Sequence, residues 1–149
     1  MPRAKRKVMA VAVASGKVGY VVLRGDELVD WKLSRLAAKS PSLMQETLSY
    51  WLSLHTPDVV VTEAINPYSR KSGKTLAIMS AAQAVIVNVK IRHKPKHRKR
   101  DFANKYDEIE HLAMQFPAIA PWAPERRKFY DPEPLNTILF EALSLAVQE

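Results

Sequence analysis

Over the first third of the chain, apolar residues come in short alternating or continuous runs; over much of the rest they fall at helical spacing. Residues 7–13 (Lys-Val-Met-Ala-Val-Ala-Val), 18–23 and 28–33 predict three strands, joined by turns at Ser15-Gly16-Lys17 and Gly25-Asp26. In the third run, Leu28, Asp30 and Lys32 alternate with Val29, Trp31 and Leu33. Two short turns make the three strands an antiparallel meander. Ser40-Pro41 then offers an N-cap and a proline at the first helical position. Leu43, Met44, Leu48, Trp51, Leu52 and Leu54 give that helix its apolar stripe, and Pro57 stops it. Val59-Val60-Val61-Thr62 follows, a run short and apolar enough for a buried parallel strand, and it leads into Glu63.

Asn66-Pro67 breaks the chain after Glu63, and a polar, basic loop extends to Lys74. Residues 76–87 predict a helix with Ala77, Ala81 and Ala84 on one face, small enough for close packing on a sheet. Residues 85–91 are ambiguous at their start; Val87, Val89 and Ile91 alternate as a fifth strand that runs into a basic cluster. Residues 102–116 read as a helix with a charged face, 117–132 as a loop with four prolines, and 133 or 134 to 147 as a last helix. The order is three antiparallel strands, then two helix-linked parallel strands, then two helices. This is an α/β protein with a five-stranded mixed sheet flanked by helices. At 149 residues, one domain with a short basic N-terminal arm (residues 1–7) accounts for the whole chain.

Composition narrows the function classes. There is no Cys, which removes disulfides and thiolate chemistry together. No apolar run approaches the ~18 residues of a membrane span, and residues 8–13 are too short for a signal sequence, so the expectation is a cytoplasmic or nucleoid-associated protein. The net charge is +8 and unevenly spread: seven of the eleven residues from 90 to 100 are Lys or Arg, with no acid among them. Such a run is either a solvated loop or a surface for a polyanion, and nucleic-acid backbone is the polyanion this balance favours. Lys94, Lys96, Arg98, Lys99 and Arg100 are its candidate contacts. Tyr68, Arg70, Lys71 and Lys74, just after Glu63, are further candidates, with Tyr68 suited to stacking on an unpaired base. Phosphate contacts carry no base specificity. Ser72-Gly73-Lys74-Thr75 lacks the earlier glycine of a phosphate loop, since position 68 is Tyr. The four histidines have no metal-ligand spacing and read as surface residues; Trp31, Trp51 and Trp122 read as core or interface anchors.

The element order is that of the ribonuclease H-like fold, and particular residues carry a closer resemblance. Residues 8–20 (Val-Met-Ala-Val-Ala-Val-Ala-Ser-Gly-Lys-Val-Gly-Tyr) resemble the opening strand-turn-strand of RuvC-type Holliday junction resolvases. The similarity continues at Glu63, at the Leu/Ala-rich helix of residues 76–87 and at Glu141-Ala142-Leu143-Ser144-Leu145-Ala146, which is similar to that family's C-terminal Asp-Ala-Leu-Ala-Ile-Ala. It spans most of the chain outside residues 98–131. The resemblance implies a structure-selective endonuclease that cuts branched DNA with two Mg²⁺ ions held by carboxylates, acting as a homodimer on the two symmetric strands of a four-way junction.

Carried over residue by residue, Glu63 matches the acid after the fourth strand and Glu141 the last acid, so these two are the candidate catalytic and metal-binding residues. Two positions depart from the pattern. Ala12 stands seven residues before the Gly of Gly19-Tyr20, where the family has its first-strand Asp, and Ile138 stands three residues before Glu141, where it has another acid. Two of four metal ligands are present, which implies weak or absent Mg²⁺ binding and impaired or absent cutting. Ala12 is either a natural loss or a replacement made to trap an uncut complex. Three readings stay open: a junction endonuclease, a nuclease-null protein that binds branched DNA, and a basic RNA- or DNA-binding module of unrelated function.

Overall fold

The computed structural model describes residues 6–65, 73–96, 105–123 and 137–148. Strands β1 (Lys7–Ala14), β2 (Lys17–Arg24) and β3 (Glu27–Ser34) form the meander, and α1 (Pro41–His55) leads to β4 (Val59–Glu63). Helix α2 (Gly73–Asn88), strand β5 (Arg92–Lys96), α3 (Lys105–Gln115), a 3-10 segment (Pro117–Trp122) and α4 (Thr137–Val147) complete the order. The five strands make one sheet in the order β3-β2-β1-β4-β5. β1 runs antiparallel to β2 and parallel to β4, and β4 runs parallel to β5. The mixed sheet expected from the pattern is therefore present. Among the described residues no helix is long and apolar enough to cross a membrane.

Side-chain alternation splits the core into two layers. Met9, Val11 and Val13 of β1 and Val18, Tyr20 and Val22 of β2 bury against α1 and α2. Val8, Ala10 and Ala12, with Val21, Leu23, Val59 and Val61, bury against α3, the 3-10 segment and α4. Gly16 and Gly25 take positive φ in the two hairpin turns, where a side chain would be strained. Gly19 serves differently: a Cβ there would come 3.1 Å from Cγ2 of Ile138, so its absence lets α4 lie directly on β2. Ser40 caps α1 by accepting a hydrogen bond from the Leu43 N–H at 3.1 Å. Thr56, in the left-handed region, ends α1 by donating its N–H to the Leu52 carbonyl at 2.9 Å.

Three expectations need correction. The fifth strand is not at Val87, Val89 and Ile91. Helix α2 continues through Val85 and Ile86 because both bury against the sheet, which leaves Val87 67% exposed. Lys90 then turns the chain at φ 58, its N–H bonded to the Val87 carbonyl. Strand β5 begins only at Arg92, so residues 92–96 of the basic cluster form an edge strand rather than a loop. Charge and Pro95 suit that position, since an edge strand must discourage further pairing. In β3, a register shift between Val22 and Leu23 pairs Val22 with Asp30 and Leu23 with Leu28. Val29 is left over and exposed, and Leu28 joins the layer of Trp31 and Leu33, against strict alternation. Leu54 of the proposed stripe is 58% exposed; Met44, Leu48, Trp51 and Leu52 are the residues that α1 buries.

Candidate functional site

The carboxyl ends of β1 and β4 lie side by side, which is where open α/β sheets place their sites. The parallel register Val8↔Val59 to Val11↔Thr62 sets Ala12 beside Glu63 one step further on. The β1–β2 register pairs Ala12 with Gly19, and the β4–β5 register pairs Glu63 with Lys96. One row thus crosses four strands as Gly19, Ala12, Glu63, Lys96. Ala12, Val59 and Val61 belong to the layer under α4, so alternation assigns Glu63 to that side as well. Glu141 is on α4 itself, half-buried between the buried Phe140 and Ala142, one turn after the Ile138 that sits over Gly19. Ala12, Glu63 and Glu141, distant in sequence, occupy the same side of the sheet.

The positions without acids are packed, not open. Ala12 is 2% exposed and Ile138 fully buried, both in the apolar layer beneath α4. Among the described residues no group of three His, Asp or Glu side chains could hold a metal ion. Of the proposed nucleic-acid contacts, Lys74 is exposed in the first turn of α2, and Lys94 and Lys96 are half-buried on β5. Lys94 registers with Val61, which puts it on the same face as Lys96. Tyr68, Arg70, Lys71, Arg98, Lys99 and Arg100 lie outside the described residues. As the last residue of its strand, Glu63 also borders a small, shallow cleft on the opposite side of the sheet. Val11, Val13, Met79 and Ala82 make that cleft largely apolar, and Thr62 and Gln83 add polar groups.

Two polar groupings had no signal of their own in the sequence. The Thr62 hydroxyl lies 2.7 Å from Nε2 of His93, tying the central β4 to the edge strand, and burial holds the His93 imidazole below its ordinary range. At the other edge of the sheet, the Tyr20 hydroxyl donates to Oδ2 of Asp30 at 2.8 Å and lies 2.9 Å from Nε2 of His55. His55 Nε2 is in turn 2.9 Å from the same Asp30 oxygen. Burial raises the Tyr20 hydroxyl well above its ordinary range, and the hydrogen bond and negative charge of Asp30 add to it. Two of the four histidines are therefore half-buried and bonded, not surface residues without partners. Only the strand register brings these pairs together. Trp51 is buried against Tyr20 at 4.6 Å between ring centroids, and Trp31 meets Trp122 edge-on at 5.1 Å.

Set against known proteins, the chain matches no family model and no curated sequence. Solved structures are another matter. RuvC of Thermus thermophilus in complex with Holliday junction substrate superposes with a TM-score of 0.64 at 12% identity, over 95% of this chain and 90% of that one. The fowlpox virus Holliday junction resolvase gives 0.62 at 12% identity, over 95% and 96%. The chain has the RuvC-type resolvase fold. The yeast mitochondrial Holliday junction resolvase shares it at a TM-score of 0.56 and 10% identity, over 96% of this chain and 78% of that one. In this chain β1, β4 and α4 are in contact, with Glu63 on β4, Glu141 on α4, and Ala12 and Ile138 on β1 and α4.

Proposed function

We propose that this protein acts on branched DNA as a junction-binding member of the resolvase type, with strand cutting impaired or absent as the chain stands. The observation that carries the reading is agreement with three junction resolvases over nearly the whole chain, with a basic edge strand next to Glu63. Lys74, Lys94 and Lys96, with Tyr68, Arg70, Lys71, Arg98, Lys99 and Arg100, supply the backbone contacts, which explains a net charge of +8. A homodimer fits the two-fold symmetry of a four-way junction.

The resemblance also implies Mg²⁺, and the donor set does not fit a two-metal centre. Mg²⁺ is held through carboxylates and water, and two bridged ions need several carboxylates converging. Glu63 and Glu141 are the only matched acids, and the other two positions are a buried Ala12 and a buried Ile138. Gel-shift against four-way junction, duplex and single-stranded DNA at one salt concentration tests the function. The expected result is junction affinity at least about tenfold above duplex. Equal affinity for all three DNAs overturns the reading in favour of a general nucleic-acid-binding module.

A further inference from the structure

The row Gly19, Ala12, Glu63, Lys96 contains one acid, and its neighbour across β4 and β5 is a base. Adjacent strands are about 4.8 Å apart, and residues in register on parallel strands project to the same side. The ladder does not fray at this point, because the Ala64 N–H donates to the Lys96 carbonyl at 2.8 Å. Lys96 is thereby fixed beside Glu63 at the backbone, and both side chains are half-buried. Between Glu63 and Gly19 the row is filled by Ala12, and over Gly19 lies Ile138.

We infer that Lys96 takes the place of a divalent cation at this sheet end: its ammonium is the positive charge set against Glu63. A metal ion there would face an ammonium one strand away, with Glu63 and Glu141 as its only matched carboxylates and none from Ala12 or Ile138. A cation that cannot dissociate makes DNA engagement independent of divalent metal. The fixed charge also offsets Glu63, so Lys94 of β5 meets the phosphate backbone beside a paired carboxylate rather than a bare one. This deepens the junction-binding reading, on which it relies only for the identity of the polyanion.

Mn²⁺ uptake by the full chain, followed by the loss of the free-ion EPR signal, tests it, with Lys96→Arg and Lys96→Glu as variants. Both changes fall on a half-buried edge strand, and circular dichroism checks that each variant folds. The unaltered chain and Lys96→Arg are expected to leave the signal unchanged. Lys96→Glu sets a second carboxylate beside Glu63 and is expected to bind Mn²⁺ at least about tenfold more tightly than either. Junction gel-shift of the unaltered chain is expected to be the same in EDTA and in Mg²⁺. Mn²⁺ binding by the unaltered chain that Glu63→Gln abolishes overturns the inference, as does no gain in a folded Lys96→Glu. A lost preference for junctions in the gel-shift, with Mn²⁺ exclusion intact, overturns the function and leaves the role of Lys96 standing.

Discussion

The two edges of the sheet handle charge in opposite ways. At the β3 edge, Asp30, His55 and Tyr20 close on one another within 3 Å, and the Lys7 ammonium adds a 2.9 Å bond to the His55 carbonyl at the end of α1. Those groups satisfy each other, and the cluster works as a clip between meander and helix. At the β5 edge, five residues carry Arg92, Lys94 and Lys96 with a single acid, Glu63, in register beside them. An acid-base balance is complete at one edge and tilted to positive at the other. The first serves stability, and the second is matched to a polyanion.

The comparison breaks most sharply at the closed edge. Trp51→Ala removes the large ring on which Tyr20 rests and is expected to cost about 3–5 kcal/mol in urea unfolding, as other buried aromatic truncations do. Neutralising Lys74 and Lys94 together as Gln is expected to weaken DNA binding and reduce the slope of log affinity against log salt by about 1.8. The paired control, Arg24 and Lys32 to Gln near the β3 edge, should leave that slope unchanged; an equal drop would show that charge acts over the whole surface. Tyr20→Phe removes both hydroxyl contacts while keeping the ring, and a loss of about 1 kcal/mol in unfolding free energy is expected.

The smallest effect is a pH dependence at the open edge. Burial depresses the folded-state value of His93, so the unfolded chain binds the proton more readily. Its contribution to stability is whole above the unfolded value of 6.5 and is lost as pH falls below it through the depressed folded value. The urea midpoint should therefore drop between pH 7.5 and pH 5, and His93→Gln should flatten that part of the drop. An undiminished drop in the variant would assign it to other groups.

Much of this architecture is written locally. Turn glycines, the Ser40 cap, Pro57 and the valine runs act within a few residues, so the meander, α1 and β4 could be drawn from sequence. The start of the fifth strand, at Arg92 rather than in the run 85–91, could not. Valine and isoleucine favour strands, and the burial of Val85 and Ile86 against the sheet overrode that preference. The same holds for Leu28, whose layer depends on the register shift that leaves Val29 of its own strand unpaired. As for the candidate site, Glu63, Glu141, Ala12 and Ile138 were singled out by the resemblance to RuvC-type resolvases. Lys96 was visible only as one positive charge among seven.

By itself, then, the sequence determined most of the elements before the fifth strand, where the basic charge lies and which carboxylates are available, because propensity, capping and composition are properties of short segments. The tertiary structure alone decided that residues 92–96 form an edge strand, that Lys96 stands beside Glu63, and that Thr62 meets His93 and Tyr20 meets Asp30. Those pairings depend on strand register, and register is set by how the whole sheet buries its two faces.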